Sequence, residues 1–165
     1  MNKKIRTPHD TFFQTVMEDV KTAVSFFQAH LTAQLFYAID WSTLTIADTA
    51  RRPLGQRTLY TDITYQALLK GGKGYIYLHV EHQRKIDQHM LERNFQYNAS
   101  LFLKHRKQGH KKLPLVVNIV VYNGSQTHYP YHADLYEYFD HPELARSLMS
   151  KPYTIYISQP SQYTR

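Results

Sequence analysis

The segment Tyr75–Gln83 alternates in the way that the two faces of a β-strand require. One face carries the aliphatic residues Ile76, Leu78 and Val80. The other face carries aromatic and polar residues, namely Tyr75, Tyr77, His79, Glu81 and Gln83. A carboxylate and an amide two residues apart in an apolar strand need partners, because burying an unpartnered polar group is costly. This strand therefore constrains both the fold and the position of a site.

A second alternating segment, residues 57–66, precedes the glycine-rich connector Lys70–Gly74, which predicts an antiparallel strand pair. The predicted elements are a helix over 7–30, strands over 41–48, 57–66 and 75–83, a helix over 87–107, a strand over 113–122, a short helix over 142–149 and a strand around 153–157. The Val-rich segment 113–122 is typical of a strand buried on both faces. This order indicates an α/β domain in which a three-stranded meander is extended by a central strand after a crossover helix.

The composition excludes several classes of protein. The 165 residues include no cysteine, which removes disulfides, thiolate zinc sites and cysteine nucleophiles. No apolar run approaches the roughly 18 residues of a membrane helix. The basic start Met1–Arg6 is not followed by the apolar segment of a signal peptide. We therefore expect one soluble, cytoplasmic domain over residues 1–165 with no membrane partner.

The chain is basic, with 20 Lys and Arg against 13 Asp and Glu and a net charge of +7. Such a balance suits an anionic partner such as DNA, although solubility alone would explain it as well. The basic segment at the end of the second long helix and just after it contains Lys104, Arg106, Lys107, Lys111 and Lys112. These residues either solvate the helix end or form a phosphate-binding arm beside the active site.

Asp62 and Glu81 lie on neighbouring predicted strands, where side chains of one face approach within about 5–8 Å. Two carboxylates about 4 Å apart repel by roughly 4 kcal/mol at an effective dielectric near 20, so such a pair holds a proton, a cationic side chain or a divalent metal ion. Mg²⁺ fits because it takes carboxylate oxygens and retains water that can attack a phosphate. Alternatively, the two carboxylates lie on a solvated sheet face, or they pair with Arg57 or Arg84.

Several stretches of the sequence carry a resemblance. They are Thr7–Asp10 with Phe13, Tyr60–Ile63, Tyr75–Gln83, and Leu113–Val117 leading into Val121–Gly124. Together they resemble the recombination-promoting nucleases, or YhgA-like transposases, of the PD-(D/E)xK nuclease superfamily. The resemblance implies a restriction-endonuclease-like mixed sheet with an αβββαβ core flanked by helices. It also implies cleavage of DNA with Mg²⁺ or Mn²⁺, linked to recombination or mobile elements.

Within that resemblance Asp62 and Glu81 are the metal ligands and Gln83 occupies the position of the superfamily's lysine. An amide orients water and phosphate by hydrogen bonds but brings no positive charge. Lys85 would supply that charge only if the strand continued through Gln83.

Helical residues are weaker candidates. Asp10 and Glu18 are acidic residues of the first helix, but Asp10 also completes a capping box with Thr7, and Glu18 lies opposite the apolar stripe. Arg93, Gln96 and Tyr97 of the second long helix either border the site or face solvent. His79 and His82 fall on opposite strand faces, which argues against a zinc site.

Two functions remain open from the sequence. One is a metal-dependent DNA endonuclease, and the other is a nucleic-acid-binding or interaction module that keeps the fold without cleaving. A homodimer would provide two sites for a double-strand break. Residues 1–165 are either a short form of the family or its N-terminal catalytic part.

Overall fold

A computed structural model of the chain describes residues 8–47, 63–72, 74–126, 129–131 and 133–151, and of residues 8–11 it describes the backbone alone. The predicted strand around 153–157 and the first part of the predicted strand over 57–66 lie outside these residues. The chain divides into two compact units, Met1–Pro130 and Tyr131–Arg165.

The first predicted helix is two helices, α1 (Pro8–Glu18) and α2 (Val20–His30), so the prediction of one continuous helix is wrong. Asp19 separates them with an extended backbone at φ −75° and ψ 113°. Its carboxylate accepts hydrogen bonds from the Thr22 amide at 2.8 Å and the Thr22 hydroxyl at 2.7 Å. Asp19 therefore caps α2. Its short polar side chain accepts a hydrogen bond from a free amide in the first turn of α2, and this favours the start of a new helix over continuation of α1.

A short helix that the sequence did not predict, α3 (Ala33–Ala38), follows α2. It leads directly into the first strand, β1 (Ile39–Ile46), which therefore begins two residues before its predicted start at Trp41. The Trp41 indole nitrogen donates to the Phe36 carbonyl oxygen at 2.9 Å. This bond ties α3 to the beginning of the sheet.

Four strands form one mixed sheet in the order β1-β2-β3-β4. The remaining strands and their crossover helix are β2 (Ile63–Leu69), β3 (Tyr75–Gln83), α4 (Met90–Lys107) and β4 (Leu115–Tyr122). The first three strands pair antiparallel, and β4 pairs parallel to β3. The predicted mixed α/β class is confirmed, as are the meander and the strand that follows a crossover helix, but among the described residues this strand lies at the edge of the sheet and not at its centre.

The helices α1 and α2 pack on one face of the sheet. The Phe27 ring of α2 is fully buried, with its centroid 5.7 Å from Trp41 and 5.3 Å from Tyr65. The Tyr65 hydroxyl donates to the Met17 carbonyl oxygen at the end of α1. The same core contains the predicted aliphatic row of β3: Ile76, Leu78 and Val80.

The other face of the sheet is covered by α4. Tyr77 of β3 and Leu101 of α4 are buried in a second, smaller cluster, with Tyr97 and Val116 packed against it. The two rows of β3 therefore face different layers, as their alternation predicted.

The prediction that residues 113–122 form a strand buried on both faces is wrong. Within the described residues β4 has one strand neighbour, β3, and its side chains are half-buried or exposed. Leu115 is 52% exposed. A continuous apolar run shows that both faces of a strand tolerate burial. How far its side chains are buried depends on how many other helices and strands pack against it.

The second unit contains a 3-10 turn over Leu135–Tyr138 and the helix α5 (Pro142–Met149), whose predicted bounds are confirmed. Arg146 of α5 donates to Asp134 Oδ2 at 2.6 Å and lies over the Tyr136 ring. Across the described ranges of the chain, none of the helices combines the length and hydropathy needed to cross a membrane.

Candidate active site

Helix α4 and strand β3 lie side by side in opposite directions, and their facing residues remain in step. Residues four apart on α4 meet residues two apart on β3, because four helical residues rise about 6.0 Å and two strand residues about 6.6 Å. The facing pairs are Arg93 with Glu81, Tyr97 with His79, Leu101 with Tyr77, and His105 with both Tyr77 and Tyr75. The row is charged at the end of β3 and aromatic at its start.

The charged end of this row is centred on Glu81, which is 2% exposed. Glu81 Oε1 accepts a hydrogen bond from Gln83 Nε2 at 2.7 Å and forms an ion pair with the Arg93 guanidinium. The sequence predicted that Glu81 and Gln83 share a face, and the structure shows their side chains in contact. Arg93 brings to this face the positive charge that Gln83 lacks.

The loop after β3 supports this contact. Arg93 Nη1 donates to Asp87 Oδ2 at 2.6 Å, so one guanidinium bridges two carboxylates. The Tyr129 hydroxyl accepts from the Asp87 amide at 3.1 Å, donates to the Asp87 carbonyl oxygen at 2.8 Å, and lies 3.3 Å from Gln83 Oε1. Both Glu81 and Gln83 are therefore held by side chains from outside β3.

Burial raises the pKa of the Glu81 carboxyl above its ordinary value. The hydrogen bond from Gln83 and the positive charge of Arg93 lower the pKa, while the charge of Asp87 raises it further. The effect of burial on the pKa is larger than the effect of the two favourable contacts. The ionised form of Glu81 is therefore less favourable in the folded protein than in water. Such strained ionisation is typical of functional carboxylates.

The next pair along the row is polar as well. Thr64 Oγ1 lies 2.9 Å from His79 Nδ1 and 2.5 Å from the Tyr97 hydroxyl. His82, by contrast, is on the opposite face, where its ring stacks on Phe13 with centroids 4.5 Å apart. The two histidines lie on opposite faces, as the alternation of β3 predicted.

The structure places the remaining predicted site residues as follows. Asp62 lies outside the described residues. Lys85 is exposed in the bend after Gln83, where β3 ends. Lys85 would share the face of Glu81 only if β3 extended beyond Gln83, and β3 ends at Gln83.

Of the two acidic candidates in the first helix, the structure describes the side chain of Glu18 alone, and it is not brought to Glu81. Glu18 is exposed at the end of α1, and α1 packs on the opposite face of the sheet through Phe13 and Met17. Asp10 belongs to the first turn of the same helix, and its side chain lies outside what the structure describes.

The basic segment lies at the far end of α4 from Arg93. Lys107 follows Arg93 by fourteen residues in a continuous helix, which corresponds to about 21 Å. His105 in this last turn is buried against Tyr75 and Tyr77 at the start of β3. Because α4 runs antiparallel to β3, this segment lies at the opposite end of the helix from Glu81, and its binding to phosphate stays a prediction. The segment remains exposed at Arg106, Lys107, Lys111 and Lys112, whereas Lys104 is half-buried.

Within residues 8–47, 63–72, 74–126, 129–131 and 133–151, no three His, Asp or Glu side chains converge as a metal site would require. Glu81 and Gln83 offer a carboxylate and an amide oxygen, which are the donor types that Mg²⁺ takes. Asp62, the other predicted ligand, is not among the described residues.

Sequence reasoning missed two residues of this site, Asp87 and Tyr129, and did not select Arg93. Arg93 had a usable signal, since Arg93, Tyr97, Leu101 and His105 recur every four residues and mark one face of a helix. Asp87 and Tyr129 had no such signal in the sequence. They are loop residues, and only the tertiary fold brings Asp87 to Arg93 and Tyr129 to Gln83.

Comparisons with known proteins identify relatives over most of the chain. The family model described as "Putative transposase, YhgA-like" matches residues 7–159. In Escherichia coli K12, the recombination-promoting nuclease RpnC is 32% identical over 155 residues, which cover 94% of this chain and 52% of RpnC. The inactive recombination-promoting nuclease-like protein RpnE is also 32% identical, over 149 residues that cover 90% of this chain and 50% of RpnE. The nuclease RpnA is 30% identical over 153 residues, 93% of this chain and 52% of RpnA.

The chain thus spans about half the length of these relatives. No solved structure gives a significant match.

Proposed function

The chain belongs to the "Putative transposase, YhgA-like" family, and from that membership we propose that it is a metal-dependent DNA endonuclease with a restriction-endonuclease-like fold. Relatives named recombination-promoting nucleases support the nuclease class. The observation that carries the proposal is the buried Glu81 carboxylate at the end of β3, held by Gln83 and Arg93. Buried carboxylates with a shifted pKa and a specific charged partner cluster at functional sites.

In this proposal Glu81 and Asp62 hold Mg²⁺ or Mn²⁺. Ile63, which follows Asp62 in the chain, pairs with Val80, the neighbour of Glu81. Oxygen donors of the Glu81 and Gln83 kind suit Mg²⁺ in chemical type. When bound, the metal ion supplies positive charge at the phosphate and favours deprotonation of water.

The chain's own residues orient the reacting groups. Gln83 fixes the rotamer of Glu81 through its amide nitrogen, and Tyr129 lies within 3.3 Å of the Gln83 oxygen. Hydrolysis forms a bond between a water oxygen and phosphorus and breaks the bond from phosphorus to one sugar oxygen. That oxygen takes up a proton, and the attacking water loses one to solvent.

The basic segment at the end of α4 would bind the DNA backbone about 20 Å from Arg93. Phosphate contacts carry no base information, so we expect weak sequence preference and a steep dependence on salt. Neutralising Lys107, Lys111 and Lys112 with glutamine should weaken DNA binding and reduce its salt dependence.

The test is nicking of supercoiled plasmid at low salt with Mg²⁺, Mn²⁺ or EDTA. We expect metal-dependent nicking by the parent protein and its loss in Asp62→Asn and Glu81→Gln. Asp140→Asn, at an exposed carboxylate of the second unit, is the matched control and should nick like the parent. Circular dichroism would show that each variant is folded.

The second candidate is a DNA-binding module that does not cleave. It is favoured by the similarity to RpnE, which is named inactive, and by the absence of charge on Gln83. A parent protein that binds DNA but never nicks it with either metal ion would support this candidate and contradict the nuclease.

A further inference from the structure

Cleavage of a phosphodiester requires positive charge near the phosphate, because negative charge on the phosphate oxygens must be stabilised in the transition state. Strand β3 supplies none on the face of Glu81, since Gln83 is neutral and Lys85 lies beyond the strand end. The Arg93 guanidinium is the cationic group that the structure places on Glu81.

We propose that Arg93 is the cationic residue of this site, delivered from helix α4 to the buried Glu81 on strand β3, and that it contacts the phosphate during cleavage. The inference rests on the proposed nuclease function and adds a residue to it.

The position of Arg93 is set before any substrate binds. Its two terminal nitrogens bond Asp87 Oδ2 and Glu81 Oε1. One turn further along α4, Tyr97 is locked against His79 and Thr64. A group held in this way loses little freedom when it meets an anion, and such preorganisation is the main source of electrostatic catalysis.

Within the described part of the chain, the ion pairs of Arg93 leave some of its donors for a phosphate. A guanidinium carries five N–H donors, and the ion pairs with Glu81 and Asp87 engage one on each terminal nitrogen. The side chain is 25% exposed, against 2% for Glu81. The arginine therefore reaches both the buried carboxylate and the solvent from which DNA arrives.

The charges around Arg93 favour this assignment. Glu81, Asp87 and Arg93 together carry a net charge of minus one, which attracts a divalent cation. When the Asp62 carboxylate of the proposed metal site is counted as well, the divalent cation brings these charges to zero and so removes the negative charge that would repel a phosphate.

The experiment compares Arg93→Gln, Arg93→Lys and the double variant Arg93→Gln with Gln83→Lys. The first readout is the single-turnover nicking rate at saturating DNA. The second readout is Mn²⁺ affinity by calorimetry, which does not depend on activity. Arg146→Gln is the matched control, because Arg146 of the second unit also donates to an aspartate at 2.6 Å.

We expect Arg93→Gln to lower the nicking rate about 100-fold, as the loss of one preorganised donor does. Arg93→Lys should lower the nicking rate less, because it keeps the positive charge. Some loss remains, since lysine cannot form the bidentate contacts of a guanidinium. The double variant should recover at least about tenfold over Arg93→Gln, since a lysine at position 83 returns a cation to the face of Glu81. Mn²⁺ affinity should be unchanged or tighter in Arg93→Gln, because a competing cation has been removed.

Two results would overturn the inference while leaving the nuclease intact. One is an Arg93→Gln protein that nicks at the parent rate while Glu81→Gln does not. The other is a joint loss of nicking and Mn²⁺ binding in folded Arg93→Gln, which would show that Arg93 only holds Glu81 in place. A parent protein that never nicks would overturn the nuclease itself, and with it this role of Arg93.

Discussion

The His79 imidazole of β3 lies against the Tyr97 phenol ring of α4, with ring centroids 4.1 Å apart and planes inclined by 28°. The Thr64 hydroxyl of β2 is within hydrogen-bond distance of His79 Nδ1 and of the Tyr97 hydroxyl. Two strands and a helix are thus joined through one small polar cluster. This cluster lies directly next to Glu81 and Arg93 in the row that α4 and β3 share.

Tyr97→Phe should keep the stacking on His79 and lose the 2.5 Å hydrogen bond to Thr64. We expect a loss of about 1 kcal/mol in the free energy of unfolding, the net value of a typical hydrogen bond. Tyr97→Ala should lose more than about 2 kcal/mol, because the ring is removed as well. Urea denaturation measures both. Tyr37→Phe, at a tyrosine that is 67% exposed, is the control, and an equal loss there would contradict the prediction.

Glu81→Gln should stabilise the protein at neutral pH. Burial raises the pKa of Glu81 above its ordinary value of 4.5, so the folded protein binds this proton more tightly than the unfolded chain does. Stability therefore falls as pH rises from that ordinary value through the raised pKa. The free energy of unfolding of Glu81→Gln should equal that of the parent below about pH 4 and exceed it increasingly towards pH 7.

The measurement is the free energy of unfolding from pH 4 to pH 7 for both proteins. Glu18→Gln, at an exposed carboxylate, controls for the general effect of removing a negative charge. A Glu81→Gln protein that is less stable than the parent at neutral pH would show that the contacts with Arg93 and Gln83 outweigh burial.

His105 should make the protein less stable in mild acid. Burial lowers the pKa of His105 below its ordinary value of 6.5, and the charges of His110 and Arg106 lower it further. The unfolded chain then takes up a proton before the folded protein does, so stability falls as pH drops below about 6.5. The His110 ring is stacked on His105 with ring centroids 3.9 Å apart, and two positive charges at such a distance repel each other.

His105→Gln removes this titration, and the fall in melting temperature between pH 7 and pH 5 should be smaller than in the parent. His141→Gln, at an exposed histidine of the second unit, should leave the pH dependence of the parent unchanged. An identical pH dependence in His105→Gln and the parent would assign the effect to other groups.

Gly124→Ala should destabilise the end of the sheet beside Gln83. An added Cβ would overlap the Tyr122 hydroxyl and the Arg84 carbonyl oxygen, and the carbonyl belongs to the backbone and cannot rotate away. The adjoining Asn123 amide donates to the Gln83 carbonyl oxygen at 3.0 Å. We expect a loss of about 1–3 kcal/mol, as overpacking costs.

Denaturation of Gly124→Ala and of Ser125→Ala, an exposed neighbour, tests this prediction. Equal stability of the glycine variant and the parent would mean that the loop after β4 shifts freely. In that case the loop would not hold Gln83 in position.

The local pattern of the sequence determined the elements that depend on nearest neighbours. The alternation over 75–83 predicted the bounds of β3 and the separation of its two faces, and the short helix predicted over 142–149 is α5. The order of helix, three strands, helix and strand then restricted the connections to a meander with a parallel crossover. Glu81 and Gln83 were found together because they are two residues apart on one strand, and that proximity is independent of the rest of the fold.

Only the tertiary structure decided which groups meet Glu81. Arg93 reaches it because α4 lies antiparallel on β3 and the rises of helix and strand nearly match, and no local pattern encodes that contact. The same antiparallel direction carries the basic segment away from Glu81. Tyr129 reaches Gln83 across 46 positions of sequence, and β4 is half-exposed because the number of elements covering a strand is a property of the assembled layers. Side-chain periodicity is a short-range property, whereas the partners of a buried charge depend on how the elements pack.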